Sequence, residues 1–160
     1  MLFKFFSAIK TQLVAEVAAL MGVEWFNNQY EATILKAPVC FVEFPEAQEL
    51  LYESKDGKRT TVVARLHVVS KVLSKVDAAI PDSEVQAHET IALAVRDALS
   101  GLQPTQTVVV TPATEEEPEV TRTDVIGTNL QWSRWQHFHK FQGYMVTTID
   151  FVFQTRHFDA

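Results

Sequence analysis

Apolar residues recur at steps of three and four near the start of the chain. Phe6, Ile9, Leu13, Val17 and Leu20 form one stripe, and Lys4, Lys10, Gln12 and Glu16 fall between them. This spacing predicts an amphipathic helix over residues 3–20, closed by Gly22 just beyond its last apolar turn. The pattern then changes. Residues 39–44, VCFVEF, follow Pro38 and are rich in β-branched and aromatic side chains on both faces, which predicts a strand buried on both sides or lying mid-sheet. Pro38 suits a strand start, where a missing N–H costs little. Asp56-Gly57, within ESKDGKRT, is a turn signal. Residues 61–69, TVVARLHVV, then alternate: Val62, Ala64, Leu66 and Val68 share one face, and Thr61, Val63, Arg65, His67 and Val69 share the other. The two strands predict a hairpin with a long or bulged connection.

Ile80-Pro81-Asp82-Ser83 interrupts this pattern. Ser83 followed by Gln86 has capping-box form and predicts a second helix. Its apolar face is Val85, His88, Ile91, Val95 and Leu99, and Gly101 serves as its C-terminal cap. Residues 105–111, TQTVVVT, predict a short strand. Residues 112–123, PATEEEPEVTRT, hold two prolines and the four glutamates Glu115, Glu116, Glu117 and Glu119, with no aromatic residue. Such a segment buries too little apolar surface to offset its ordering entropy, which predicts a long, mobile, exposed acidic loop. Extended character resumes over residues 124–135. In the final strand Met145, Ile149, Phe151 and Phe153 interleave with Thr148, Asp150 and Gln154. The order helix, strand, strand, helix, strand, strand, strand predicts an α+β fold: a mainly antiparallel sheet with two amphipathic helices packed on one face.

A chain of 160 residues, 47% hydrophobic, can bury one ordinary core and predicts a single domain over 1–160. No apolar run approaches the roughly 20 residues that a membrane-spanning helix requires. The opening MLFKFFSAIK has the look of a signal peptide, but Lys4 and Lys10 interrupt it and no small-residue cleavage site follows. It reads as the start of a helix, in a chain made and used inside a cell. The net charge is −6, and the 14 lysines and arginines are scattered singly. A basic stripe able to displace counterions from phosphates is missing, which argues against direct nucleic-acid binding.

Residues in patterns that could carry chemistry are few. His137 and His139 form an H-x-H pair, but a zinc site needs further ligands, and Asp124, His157 and Asp159 stand at no diagnostic spacing. His88 lies on an apolar helix face, where a hydrogen-bonded core or interface histidine is common. No nucleophile elbow, phosphate-cradling loop or H-E-x-x-H motif occurs. Cys40, the single cysteine, sits in an apolar run where desolvation disfavours its thiolate. These features predict no enzyme, no metal and no cofactor. The aromatics Trp132, Trp135, Phe138, Phe141 and Tyr144 stand about three residues apart and suit a core cluster, a protein interface, or a small-molecule or glycan platform. Phe3 and Phe5 exceed what one helical stripe needs, and serve either as extra core packing or as a sticky N-terminal turn. Phe3, Phe6, Trp132, Trp135, Phe138 and Tyr144 are therefore the candidate self-association or partner surface.

An N-terminal helix is followed by GVEWFNNQYE, APVCFVEF, a turn, TTVVARLHVV, the helix HETIALAVRDALSGL, a variable loop and the strand GYMVTTIDFVFQT. In this order the chain resembles the tail terminator and minor tail proteins of long-tailed bacteriophages and prophages. The resemblance covers nearly the whole chain and rests on element order and loose motifs. Its most suggestive pieces are Trp25 to Gln29 ahead of the Pro38 strand, and the last strand with Tyr144 and Phe151. It implies a small α+β subunit that forms a homohexameric ring on the end of the tail tube, stops tube polymerisation and presents the head-docking surface. The implied partners are further copies of the chain, the tail tube protein and a head completion or connector protein. The implied location is the virion tail, assembled in the bacterial host cytoplasm. The loop holding Glu115 to Glu119 is more acidic than the resemblance requires, so no family role carries onto it. Three rival readings stand beside this one: a head–tail connector, a soluble ligand- or protein-binding module using the Trp132–Tyr144 aromatics, and an enzyme with an unrecognised site.

Overall fold

The computed structural model describes residues 2–26, 37–45, 47–54, 57–73, 79–112, 114, 118–141 and 143–156. In chain order its elements are α1 (Leu2–Glu16), β1 (Gly22–Trp25), β2 (Val39–Glu43), β3 (Ala47–Ser54), β4 (Gly57–Lys71), α2 (Asp82–Leu99), β5 (Thr105–Thr111), β6 (Val120–Val125), β7 (Gln131–Phe141) and β8 (Tyr144–Arg156). The main sheet runs β1-β2-β4-β8-β7, with β3 also paired to β4. All these pairings are antiparallel except β1 with β2. The fold is α+β.

The alternation along β4 explains this architecture. β4 has 15 residues and pairs the whole length of β8, from Arg59↔Arg156 to Lys71↔Tyr144. On its other side β4 pairs β3 with its first half and β2 with its second. Val62, Ala64, Leu66 and Val68 face the helices and are fully buried, together with Cys40 and Val42 of β2 and Ile149, Phe151 and Phe153 of β8. From the helix side α1 contributes Phe5, Phe6, Ile9 and Leu13, and α2 contributes Ala92, Val95 and Leu99. The Phe5 and Phe153 rings meet at 4.8 Å between centroids. Each fully buried side chain of this size adds about 1.5–3 kcal/mol to burial. The opposite sheet face carries a smaller cluster of Val39, Phe41, Val69 and Val146, with Phe26 and Tyr144 packed on it.

Several local expectations change in three dimensions. Helix α1 ends at Glu16, and Gly22 opens β1 instead of capping the helix. The Met21 N–H donates to the Pro38 carbonyl (2.8 Å), which draws 22–25 alongside β2 as a parallel strand. Strand β2 does pair antiparallel with β4, from Val39↔Val69 to Glu43↔Arg65, but β3 intervenes in sequence. The hairpin formed at the Asp56-Gly57 signal is therefore β3–β4, closing at Ser54↔Gly57. The capping box is not made. Helix α2 starts at Asp82 behind Pro81 without a side-chain cap, and Ser83 and Gln86 lie inside it. Its other end follows expectation: Gly101, one residue past the Ser100 cap, adopts φ +80°, a region that favours glycine. Residues 120–123, expected as loop, belong to β6, which leaves 112–119 to join β5 to β6. Of that segment, residues 113 and 115–117 lie outside the described residues.

Candidate self-association surface

Phe3 points outward from the first turn of α1 and is 68% exposed, its ring 6.0 Å from that of Phe6. Phe6 itself is a core residue, 7% exposed, edge-on to Trp25 at 5.2 Å. The expectation that Phe6 lies on the surface is thus corrected: the helical stripe turns Phe6 into the sheet and leaves Phe3 outside.

Among the described side chains, the aromatics Trp132, Trp135 and Tyr144 of the C-terminal strands do not form one cluster. In β7 a register shift between Trp132 and Arg134 inserts one extra residue. Trp132 pairs Phe151 and Trp135 pairs Ile149, so both tryptophans stand on the helix side despite their odd spacing. Trp135 packs partly buried against the core. Trp132 is 51% exposed, with the Arg96 guanidinium 5.6 Å above its ring. Tyr144 sits on the opposite face against the Val39–Phe41–Val69–Val146 cluster. The side chain of Phe138 lies outside the described residues, as do Glu115, Glu116 and Glu117; Glu119 is exposed.

What the tertiary structure does assemble is an arm beside a groove. Among the described residues, strands β5 and β6 pair only with each other, as a separate two-stranded sheet. Val109 (49%), Val110 (56%) and Val120 (52%) stay exposed near its far end. An isolated two-stranded ribbon is marginally stable in water, so exposed valines on one call for cover. At its base, β5 and the outer face of α1 enclose a groove of about 610 Å³ lined by Phe3, Lys4, Ser7, Thr11, Leu102 and Thr107, among others. The arm was missed in the sequence because acid and proline dominated the reading of 112–123. The signal that could have found it is the VTRTDV alternation at 120–125.

His88, 1% exposed, spans the helix–sheet interface: Nδ1 bonds Ser70 Oγ and Nε2 bonds Thr147 Oγ1, both at 2.8 Å. A serine hydroxyl on an imidazole is the geometry of an activated nucleophile. Here, however, the second nitrogen meets a neutral hydroxyl, which lacks the charge that steadies an imidazolium. A hollow of about 190 Å³ lies alongside, bordered by Pro38, Ser70, Glu84, His88, Ile91 and Met145. On the other sheet face Arg65 grips Asp150 with two bonds (2.8 and 3.0 Å), and His67 Nε2 donates to Glu43 Oε2 (2.7 Å) while stacking on Phe26 at 4.5 Å. Desolvation pushes the His67 pKa below its ordinary 6.5, against the raising influence of Glu43. Cys40 is wholly buried, and burial drives its thiol pKa far up, so it stays protonated. Among the described residues no group of three or more His, Cys, Asp or Glu is placed to hold a metal ion. No described helix is long and apolar enough to cross a membrane.

No protein-family model matches the chain, and no curated protein matches it by sequence. Among solved structures, its fold is similar to that of a chain from the virion of a native gene transfer agent (GTA) particle, with a TM-score of 0.51 at 15% identity. The match covers 94% of this chain and 92% of that one, so the likeness is one of fold across nearly the whole of both.

Proposed function

We propose that this protein is a structural component of a virion or virion-like particle, and within it a tail terminator. In this reading it forms a ring on the end of the tail tube, stops tube growth and offers the surface to which the head docks. It works by shape and association, without catalysis and without a cofactor. The observation that carries the proposal is the near-complete mutual coverage with a virion chain, which joins the element order already resembling tail terminators. The exposed arm beside an open groove is further support. A ring subunit needs two different complementary surfaces, because a heterologous contact closes by rotation.

The test is solution mass over a concentration series, with electron microscopy of the same sample, alone and with purified tail tubes. Closed rings of about six copies, or rings seated on tube ends, support the reading. A chain that stays monomeric and leaves tube length unchanged overturns it. Rings that bind heads but ignore tubes would reassign the protein as a head–tail connector.

A further inference from the structure

Helix α2 is fastened to the fold in two different ways along its length. Residues 91–99 are held by burial. Ala92, Val95 and Leu99 are fully buried in the core, and α1 grips this half, with Gln12 Nε2 donating to the Ala98 carbonyl at 3.2 Å. Residues 82–90 differ. His88 is the single buried residue of that half, and none of the nine belongs to the hydrophobic core. Polar contacts fasten it instead. His88 bonds Ser70 on β4 and Thr147 on β8, and the Glu84 carboxylate, one turn earlier, accepts the Leu73 N–H at 3.0 Å. No side chain caps the first turn. The hollow of about 190 Å³ bordered by Pro38, Ile91 and Met145 lies beside His88, so this half makes fewer packing contacts. A segment with few buried apolar contacts opens at lower free energy than the rest of its fold.

His88 makes that opening depend on protons. A neutral imidazole has one donor and one acceptor, so one hydroxyl accepts from the ring and the other donates to it. An imidazolium has two donors. The hydroxyl that donated must then turn its own proton away, and a cation is left only 1% exposed. Released into water, the same cation is solvated. Around the ring, α2 presents Glu84 and the end of β4 presents Lys71, charges of opposite sign that both border the hollow. Strand β8 presents Thr147 and Met145, and β7 sets Lys140 in register with Met145. On β2, Cys40 pairs Val68 and its buried thiol stays protonated.

We propose that residues 82–90 form an acid-released latch, closed on the sheet while His88 is neutral and swung away from it when His88 takes up a proton. The hinge lies at Ile91–Ala92, where burial of the helix resumes, and opening uncovers Met145 and the hollow. The closed latch holds the neutral ring and the open latch accepts the proton, so acid draws the equilibrium open. Closure is at full strength above the ordinary histidine value of about 6.5 and is lost as pH falls below it. One proton taken up per opening raises the opening constant by up to about tenfold per pH unit in that range.

The experiment follows amide hydrogen exchange in the full chain at pH 7 and pH 5.5, corrected for the intrinsic effect of pH on exchange. In the parent, protection of residues 86–90 should fall roughly eightfold between the two, while that of residues 95–99 holds. His88→Gln keeps a donor and an acceptor but cannot titrate, so its protection of 86–90 should be equal at both pH values. His67, on the opposite sheet face, is present in both proteins and cancels from the comparison. The same pH dependence in parent and variant, or a fall shared evenly along the whole of α2, overturns the latch. Should His88→Gln fail to fold, carbon-13 resonances of the parent decide. The His88 ring should keep its neutral-form shift for as long as residues 86–90 stay protected, and a protonated ring beneath a protected half-helix overturns the proposal.

Discussion

Removing the imidazole of His88 should loosen α2 from the sheet. The ring is 1% exposed and bonds two hydroxyls on neighbouring strands, Ser70 on β4 and Thr147 on β8, each at 2.8 Å. A neutral imidazole offers one donor and one acceptor, and a hydroxyl can play either part, so both bonds are satisfied in either tautomer. Replacing His88 with Leu keeps most of the volume but deprives two buried hydroxyls of their partner. Each buried group left unsatisfied costs about 1–3 kcal/mol, so His88→Leu should destabilise by about 2–4 kcal/mol. At this chain length that lowers the melting temperature by about 5–15 °C. Adding Ser70→Ala and Thr147→Val removes the orphaned hydroxyls, and this triple variant should recover to within about 1 kcal/mol of the parent. Urea unfolding followed by circular dichroism gives the free energies, and amide hydrogen exchange should show α2 opening first in the single variant. A single variant costing under about 0.5 kcal/mol, or a triple variant no better than the single, would refute the bridge.

Three further substitutions test other features. A Cβ at Gly127 would lie 3.1 Å from the Gln154 carbonyl oxygen, 3.1 Å from Pro104 and 3.2 Å from the Phe5 ring, so Gly127→Ala should cost about 1–3 kcal/mol. Thermal unfolding at parental temperature would contradict this. The Thr155 hydroxyl is buried with no partner among the described residues, so Thr155→Val should leave stability unchanged or raise it by up to about 1 kcal/mol; a clear loss in denaturant titration would expose a missed bond. His67, facing Glu43, Arg65 and Asp150, has a folded pKa below its ordinary 6.5, so the folded chain binds fewer protons there than the unfolded chain. Its contribution is full above 6.5 and is lost as pH falls towards the folded value. Between about pH 7 and pH 5 the parent melting temperature should therefore fall more steeply than that of His67→Gln, and parallel profiles would rule this out.

The candidate surface was only partly legible in the sequence. Phe3 was identifiable because it exceeds the helical stripe, yet Phe6 belongs to that stripe and is buried by it. Trp132 and Trp135, three residues apart, share a face only because a bulge in β7 resets the alternation between them, while Tyr144 stands on the opposite face. No periodicity reveals where a bulge will fall. The groove joins α1 to a strand about 100 positions away, a juxtaposition that exists only once the sheet is built.

Both helices, the alternating faces of β4 and β8, the buried Cys40 and the α+β class follow from the order of residues alone. Each depends on which side of an element is apolar, and that is written in the period of the side chains. The strands whose own pattern is weak exist because of the partners that the fold brings to them. Residues 22–25 are a strand because Met21 finds the Pro38 carbonyl, β3 is a strand because β4 is long enough to hold it, and β6 is a strand because β5 pairs its backbone despite the acidic surroundings. The capping box at Ser83 went unused because the helix begins one residue earlier, behind Pro81. The direction of a side chain follows from local geometry, whereas a backbone N–H is paired only by whatever the fold brings beside it.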